Sequence, residues 1–175
     1  MILRELESAL PALLDLRLPG ARGIDWGYIE RELGVRLPQD FMELSEFYSS
    51  VILDDFLSVH IPDPGKEHEF ISVAREFLSD LESLRESDMS HGYVPYPEEG
   101  GVIPWGDSRD GDTWYWKTGH ADPDRWPVVL SGHSDDWVEI GESLTGYLAG
   151  LVQGRILPEG LPPDFPGRTP RVESD

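Results

Sequence analysis

The sequence predicts a single α+β domain in which helices pack on an antiparallel sheet. Apolar residues recur at helical spacing through the first third of the chain and again over residues 69–88. Short strands joined by tight acidic turns are predicted between residues 101 and 140. A final amphipathic segment over residues 141–157 predicts a closing helix. A chain of 175 residues is long enough to bury a sizeable core.

Three helical segments are predicted before the first strands. The first carries regularly spaced leucines and is broken or restarted at Pro11. Asp25 can cap the second helix, and Gly34 suits its C-terminal exit. The third tolerates Pro38 in its first turn, and it places one apolar face toward the core, formed by Phe41, Leu44, Phe47 and Tyr48.

The predicted strands carry most of the aromatic residues. Residues 50–62 read as two short strands around an Asp54-Asp55 turn. The stretch GGVIPWGDSRDGDTWYW, residues 100–116, predicts a hairpin with an apolar strand, an acidic turn and an aromatic strand. Strand alternation places Trp114 and Trp116 on one face of the sheet and Tyr115 on the other. We expect most of the tryptophans to lie in the core.

The domain is expected to span residues 1–157, with a tail over residues 158–175. That last segment contains five prolines and shows no apolar periodicity. Such a composition predicts an unstructured, flexible segment.

The composition excludes several classes of partner. The net charge is −20, from 34 acidic and 14 basic residues, so the protein repels nucleic-acid phosphates and anionic lipid and attracts basic proteins. The absence of cysteine removes thiol chemistry and fits a reducing compartment. No signal peptide or apolar run of about 20 residues is apparent, and no asparagine occurs. These features predict a cytoplasmic, bacterial protein that binds neither nucleic acid nor membrane.

The acidic turn at residues 107–112 does not match a calcium loop. Counted from Asp107, Arg109 stands at the third position, glycine comes one position early, and Thr118 replaces the bidentate glutamate. Aspartate and glycine are also the residues that tight turns select. The turn is therefore interpreted as part of the fold, and no metal is predicted.

Catalytic motifs are equally incomplete. The stretch GHSDD at residues 132–136 approaches a nucleophile elbow but ends in aspartate and leads into a predicted strand. Two His-x-Asp pairs, which begin at His120 and His133, leave open a metal-dependent hydrolase that uses these histidines and nearby aspartates. No compact ligand motif supports it, so no catalytic residue and no cofactor is predicted.

Four segments in order resemble the SUKH superfamily of Smi/Knr-type proteins: LGVRLPQDFMELSEFY, the hairpin at residues 100–116, WPVVLSGH and VEIGESLTGYLAGL. The resemblance covers about residues 20–153. One departure is the sequence YSS where the family usually has an Asn-Gly turn. The resemblance implies a curved antiparallel sheet with flanking helices, used as a binding scaffold without catalytic chemistry. It further implies a bacterial immunity protein that neutralises a toxin domain.

The function predicted from the resemblance and the charge is therefore protein binding, with a basic toxin domain, such as a nuclease, as the partner. A regulatory scaffold without a toxin is the alternative. The oligomeric state is not predicted. The expected partner-binding residues are the acidic turns and one tryptophan: Asp54, Asp55, Trp105, Asp107, Asp110, Asp112, Asp135 and Asp136.

Overall fold

The computed structural model describes residues 2–167 and 170–173. Its helices are α1 (Arg4–Ala9), α2 (Trp26–Leu33), α3 (Gln39–Phe47), α4 (Glu67–Glu86) and α5 (Leu144–Gln153), with 3₁₀ turns at Pro11–Leu16 and Pro123–Arg125. Its strands are β1 (Val51–Leu53), β2 (Leu57–Val59), β3 (Val102–Ser108), β4 (Thr113–Lys117), β5 (Val128–Ser131), β6 (Trp137–Ile140) and β7 (Val172–Glu173). The predicted α+β class with an antiparallel sheet is confirmed.

Local sequence signals position the helices. α1 ends just before Pro11, where a 3₁₀ turn begins. The Asp25 carboxylate accepts a hydrogen bond from the Tyr28 amide, and Gly34 ends α2 in the left-handed region. In α5 the apolar residues that the sequence predicts to face inward, Leu144, Tyr147, Leu148 and Leu151, are all buried, and the helix ends at Gly154. Phe47 of α3 is only partly buried, whereas the other three expected core residues of that segment are fully buried.

The sheet is an antiparallel meander with the order β6-β5-β4-β3-β2-β1-β7. In a meander, every second turn lies at the same end of the sheet. The β1–β2, β3–β4 and β5–β6 turns, residues 54–56, 109–112 and 132–136, therefore lie side by side, and we call this end of the sheet the turn end.

A β-bulge in β3 shapes the sheet beside this end. Pro104 pairs with Tyr115 and Gly106 pairs with Trp114, so Trp105 has no paired residue in β4. A Cβ atom on Gly106 would lie 2.9 Å from the Ser58 carbonyl oxygen of β2. Glycine at this position therefore permits the close approach of β2 to the bulged strand.

The two faces of the sheet carry different cores. Trp105, Trp114 and Trp116 lie on one face, inside the main core that α1, α3 and α5 share. Tyr115 lies on the opposite face with Val102, Val129 and Leu81 of α4. The predicted alternation of Trp114, Tyr115 and Trp116 is thus confirmed, and four of the six tryptophans are buried, namely Trp105, Trp114, Trp116 and Trp126.

The segment after residue 157 departs from the predicted unstructured tail. Phe165 is buried and its ring lies 4.7 Å from that of Phe56, measured between ring centroids. β7 then pairs with β1 along the edge of the sheet. Burial of one aromatic ring and the backbone pairing hold a segment that composition alone assigns to disorder. The domain therefore extends beyond residue 157, and residues 168, 169, 174 and 175 of the predicted tail lie outside the described part.

None of the helices between residues 2 and 167 combines the length and the apolar character that crossing a bilayer requires.

Candidate functional site

The turn end gathers seven of the eight residues predicted to contact a partner, six of them in the three turns and Asp107 near the end of β3. The carboxylates of Asp55, Asp110, Asp135 and Asp136 are exposed, while Asp54 and Asp107 are partly buried. The chain positions of these residues span three separate turns, and it is the meander that brings them to one end. The result is an acidic rim on the domain, formed by the β1–β2, β3–β4 and β5–β6 turns. Arg109 lies within this rim, 3.5 Å from Asp55 and 4.0 Å from Asp110.

Two of the residues predicted to contact a partner are buried, so these two predictions are wrong. Trp105 has no exposed surface, because the bulge directs its ring into the main core beside Trp114 and Tyr147. Asp112 also has no exposed surface. Neither side chain can contact a partner in this structure, and both belong to the framework that holds the turn end.

Asp112 organises the two neighbouring turns. Its Oδ1 accepts hydrogen bonds from the backbone amide and the Nδ1 atom of His133, each at 2.8 Å. Its Oδ2 accepts a hydrogen bond from the Ser108 hydroxyl. That hydroxyl in turn accepts hydrogen bonds from the amides of Asp110 and Asp112. The buried charge is thus fully satisfied, and it ties the β3–β4 turn to the β5–β6 turn.

The pKa of His133 is raised above its usual value. The main cause is the hydrogen bond to Asp112, supported by the charges of Asp112, Asp110 and Asp136. The His133 side chain is 42% exposed, whereas the Asp112 carboxylate is completely buried.

Asp54 has a different task from its neighbour Asp55. Its two carboxylate oxygens accept hydrogen bonds from the backbone amides of Gly167 and Arg171, at 2.9 and 2.7 Å. Its own amide donates to the Arg171 carbonyl oxygen. Asp54 therefore fastens the C-terminal segment to the β1–β2 turn, and Asp55 is left at the surface.

A cleft of about 530 Å³ opens beside the turn end, between the sheet and the C-terminal half of α4. Its floor is formed by the buried Leu81 and Tyr115, and its walls include Phe77, Met89 and Trp137. The acidic members of its lining are Asp80, Asp107, Asp112 and Asp135. The cleft is thus lined by apolar side chains and by four aspartates, of which Asp80 and Asp135 are exposed.

Three of these aspartates each accept a hydrogen bond from a histidine. The distances between the ring nitrogen and the carboxylate oxygen are 2.9 Å for His60–Asp107, 2.8 Å for His133–Asp112 and 3.1 Å for His91–Asp135. The paired residues are 47, 21 and 44 positions apart in the chain. Sequence reasoning missed these pairs because each depends on tertiary structure: β2 pairs with β3, two turns of the sheet lie side by side, and the loop after α4 reaches the β5–β6 turn.

Stacked aromatic rings fix the far wall of the cleft. Trp137 lies nearly parallel to Tyr93 and to Tyr115, with centroid distances of 4.9 and 6.1 Å. Burial, together with a hydrogen bond to Glu139 and its charge, raises the pKa of Tyr93 to about 12. The Tyr93 hydroxyl is therefore protonated at neutral pH and donates to that carboxylate at 3.0 Å.

The residues of the hydrolase alternative do not come together. His133 follows β5 at the turn end, whereas His120 follows β4 at the opposite end of that strand. The five residues of β4 separate the two ends by about 13 Å. His120 accepts a hydrogen bond from the Asp122 amide. Within the described ranges, no group of three or more histidine, aspartate or glutamate side chains is arranged to hold a metal ion.

Comparison with known proteins gives no relative to reason from: no family model, no curated protein and no solved structure matches this chain.

Proposed function

We propose that this protein is a non-enzymatic binding module, an immunity protein of the SUKH type, that neutralises a bacterial toxin domain in the cytoplasm. The observation that carries the proposal is the turn end, where the exposed carboxylates of Asp55, Asp110, Asp135 and Asp136 lie on three neighbouring turns, and Asp135 also lines the cleft. Three separate turns supply these four charges to a single surface. A partner with a basic surface is the class that this arrangement suits.

The charge of the whole protein supports the same class of partner. A net charge of −20 steers basic proteins toward the surface and speeds their association at low salt. A toxin that cleaves nucleic acid needs a basic cleft to bind phosphates, so an acidic rim can compete for that cleft. A nuclease domain is therefore one toxin class that fits the proposal.

Co-expression with the product of the neighbouring gene tests the function directly. We expect the two proteins to form a complex and the growth defect caused by the second protein to disappear. A complex without any toxicity to relieve would favour the regulatory scaffold instead. Absence of both complex and rescue would contradict the proposal.

The role of the turn end is tested by neutralising its exposed charges. The variant Asp55→Asn, Asp110→Asn, Asp135→Asn and Asp136→Asn should bind the partner at least about tenfold more weakly, because each lost rim charge slows association. The matched control neutralises four exposed glutamates on α2, α4 and the loop before β3: Glu30→Gln, Glu69→Gln, Glu76→Gln and Glu99→Gln.

Both variants change the net charge equally, so only the position of the lost charges differs. Binding constants come from calorimetry at physiological salt. Equal weakening in both variants would mean that long-range attraction acts alone and that the turn end is not the contact surface.

A further inference from the structure

The cleft beside the turn end has two apolar walls with nothing packed between them. Phe77 and Leu84 of α4 are partly buried, and Met89, just beyond α4, has 46% of its surface exposed. Trp137 forms the opposite wall and is itself only partly buried. The volume of about 530 Å³ lies within the range of ordinary ligand sites. It exceeds what one side chain fills.

Acidic side chains outnumber basic ones in the lining of the cleft, where His133, paired with Asp112, is the basic side chain. Four aspartates line the cleft, and none of the described residues that line it is a lysine or an arginine. The carboxylates of Asp107, Asp112 and Asp135 are each hydrogen-bonded to a histidine ring. Asp80 on α4 is exposed and forms no ion pair within residues 2–167 and 170–173. Asp80 is therefore the carboxylate that an incoming cation can reach without displacing an existing partner.

An occupant must match both the apolar walls and the carboxylates. An anion is repelled because the four carboxylates outnumber the single histidine of the lining, His133, which is already paired with Asp112. A bare metal ion leaves the apolar walls uncovered. Lysine and arginine side chains combine a long apolar stem with a cationic head. Arginine suits a carboxylate best because its planar guanidinium donates two parallel hydrogen bonds.

We propose that this cleft receives an arginine or lysine side chain of the protein partner, together with an apolar neighbour, and that Asp80 binds the cationic head. The stem and the neighbouring residue pack on Met89, Leu84 and Trp137. This inference rests on the proposed function, since it supplies the contact by which a basic partner is anchored. It places that contact at Asp80 inside the cleft, apart from the rim carboxylates of Asp55, Asp110 and Asp136, which do not line it.

A short peptide tests the cleft without the partner. The probe is the tripeptide acetyl-Leu-Arg-Leu-amide, and its matched control is acetyl-Leu-Gln-Leu-amide, which keeps the apolar residues and removes the charge. Binding is followed by the NMR resonance of the Trp137 indole N–H. We expect a saturable shift with the arginine peptide and binding about tenfold weaker with the glutamine peptide, because the charge-assisted hydrogen bonds are lost.

Three variants separate the contributions of charge and packing. Asp80→Asn should weaken binding of the arginine peptide about tenfold and leave the glutamine peptide unchanged. Met89→Ser should weaken both peptides. Glu76→Gln, an exposed substitution one turn earlier on α4, should weaken neither. Unchanged backbone amide spectra show that each variant is folded.

The outcomes distinguish this inference from the proposed function. Equal binding of both peptides, shifts confined to residues outside the cleft, or an Asp80→Asn variant that binds normally would each overturn the inference. A toxin that is neutralised equally by the wild type and the Asp80→Asn variant would also overturn it while supporting the proposed function. Selective peptide binding without any toxin rescue would support the cleft and contradict the immunity function.

Discussion

At the scale of single residues, the acidic side chains of one turn have opposite tasks. Asp110 is exposed, whereas Asp112, two positions later, is completely buried and accepts three hydrogen bonds. The sequence predicts a turn at both positions from the same aspartate and glycine chemistry. It cannot predict which carboxylate is buried, because the deciding partner, His133, lies 21 positions away on another turn.

Replacing the buried carboxylate should destabilise the fold. Asp112→Asn removes the charge and turns an amide toward groups that donate hydrogen bonds, so we expect a loss of about 1–3 kcal/mol in the free energy of unfolding. Asp110→Asn is the matched control and should change it by less than about 0.5 kcal/mol. Urea unfolding measures both. Equal stabilities of the two variants would show that the Asp112 hydrogen bonds do not hold the turns.

The His133–Asp112 pair should make stability depend on pH. Because folding raises the pKa of His133, the folded state binds the proton more tightly than the unfolded chain, whose value is about 6.5. The contribution of this pair is therefore fully present below about pH 6.5 and is lost as pH rises through the raised folded pKa.

NMR titration of the His133 ring checks this expectation. We expect a midpoint above about 6.5 in the wild type and a lower one in Asp112→Asn. The stability difference between the wild type and His133→Gln should shrink as pH rises through the folded pKa. A wild-type midpoint at or below the ordinary value would contradict the role assigned to Asp112.

At the scale of elements, the periodicity of apolar residues predicts helices and strands that form within one segment. It does not predict structure that depends on contacts between distant segments. The apolar spacing predicts α4 over residues 69–88, close to its observed bounds. β7 contains only two residues and follows a proline-rich stretch, so it carries no periodic signal. The one indication of order in that stretch is Phe165, a lone aromatic residue whose ring packs against the ring of Phe56 in the β1–β2 turn. The cleft is likewise a product of packing between α4 and the sheet.

The contact between Asp54 and the C-terminal segment predicts a local change in dynamics. Asp54→Asn leaves one acceptor oxygen for two backbone amides, so the amides of Gly167 and Arg171 should exchange hydrogen about fivefold faster or more. Asp55→Asn is a close control, because both residues belong to the same turn and both have a positive φ. Hydrogen exchange followed by NMR gives the rates. Equal rates in the two variants would mean that burial of Phe165 and the pairing of β7 with β1 hold the segment without the Asp54 carboxylate.

At the scale of the whole molecule, the charge acts on stability and on binding in opposite directions. The net charge of −20 means that the excess acidic side chains repel one another within the folded domain, which destabilises it. The same charge attracts a basic partner across solvent. Composition alone predicts both effects, but the position of the contact surface depends on the meander that aligns three turns.

Salt should therefore stabilise the free protein and weaken its complex. Raising the salt concentration from about 0.01 M to about 1 M shortens the Debye length from about 30 Å to about 3 Å. We expect the Tm of the free protein to rise and the affinity for the partner to fall steeply over this range. Calorimetry of both samples in the same buffers tests the pair of trends. An affinity that is indifferent to salt would indicate an apolar interface.

The distribution of the tryptophans gives the domain separate optical signals for folding and for events at the cleft. Trp105, Trp114, Trp116 and Trp126 are buried, whereas Trp26 and Trp137 are only partly buried. In a Trp26→Phe variant, a dissolved quencher such as acrylamide would reach Trp137 first, while the other four indoles keep reporting on the intact core. A molecule that enters the cleft would shield Trp137 from the quencher and leave the remaining emission unchanged.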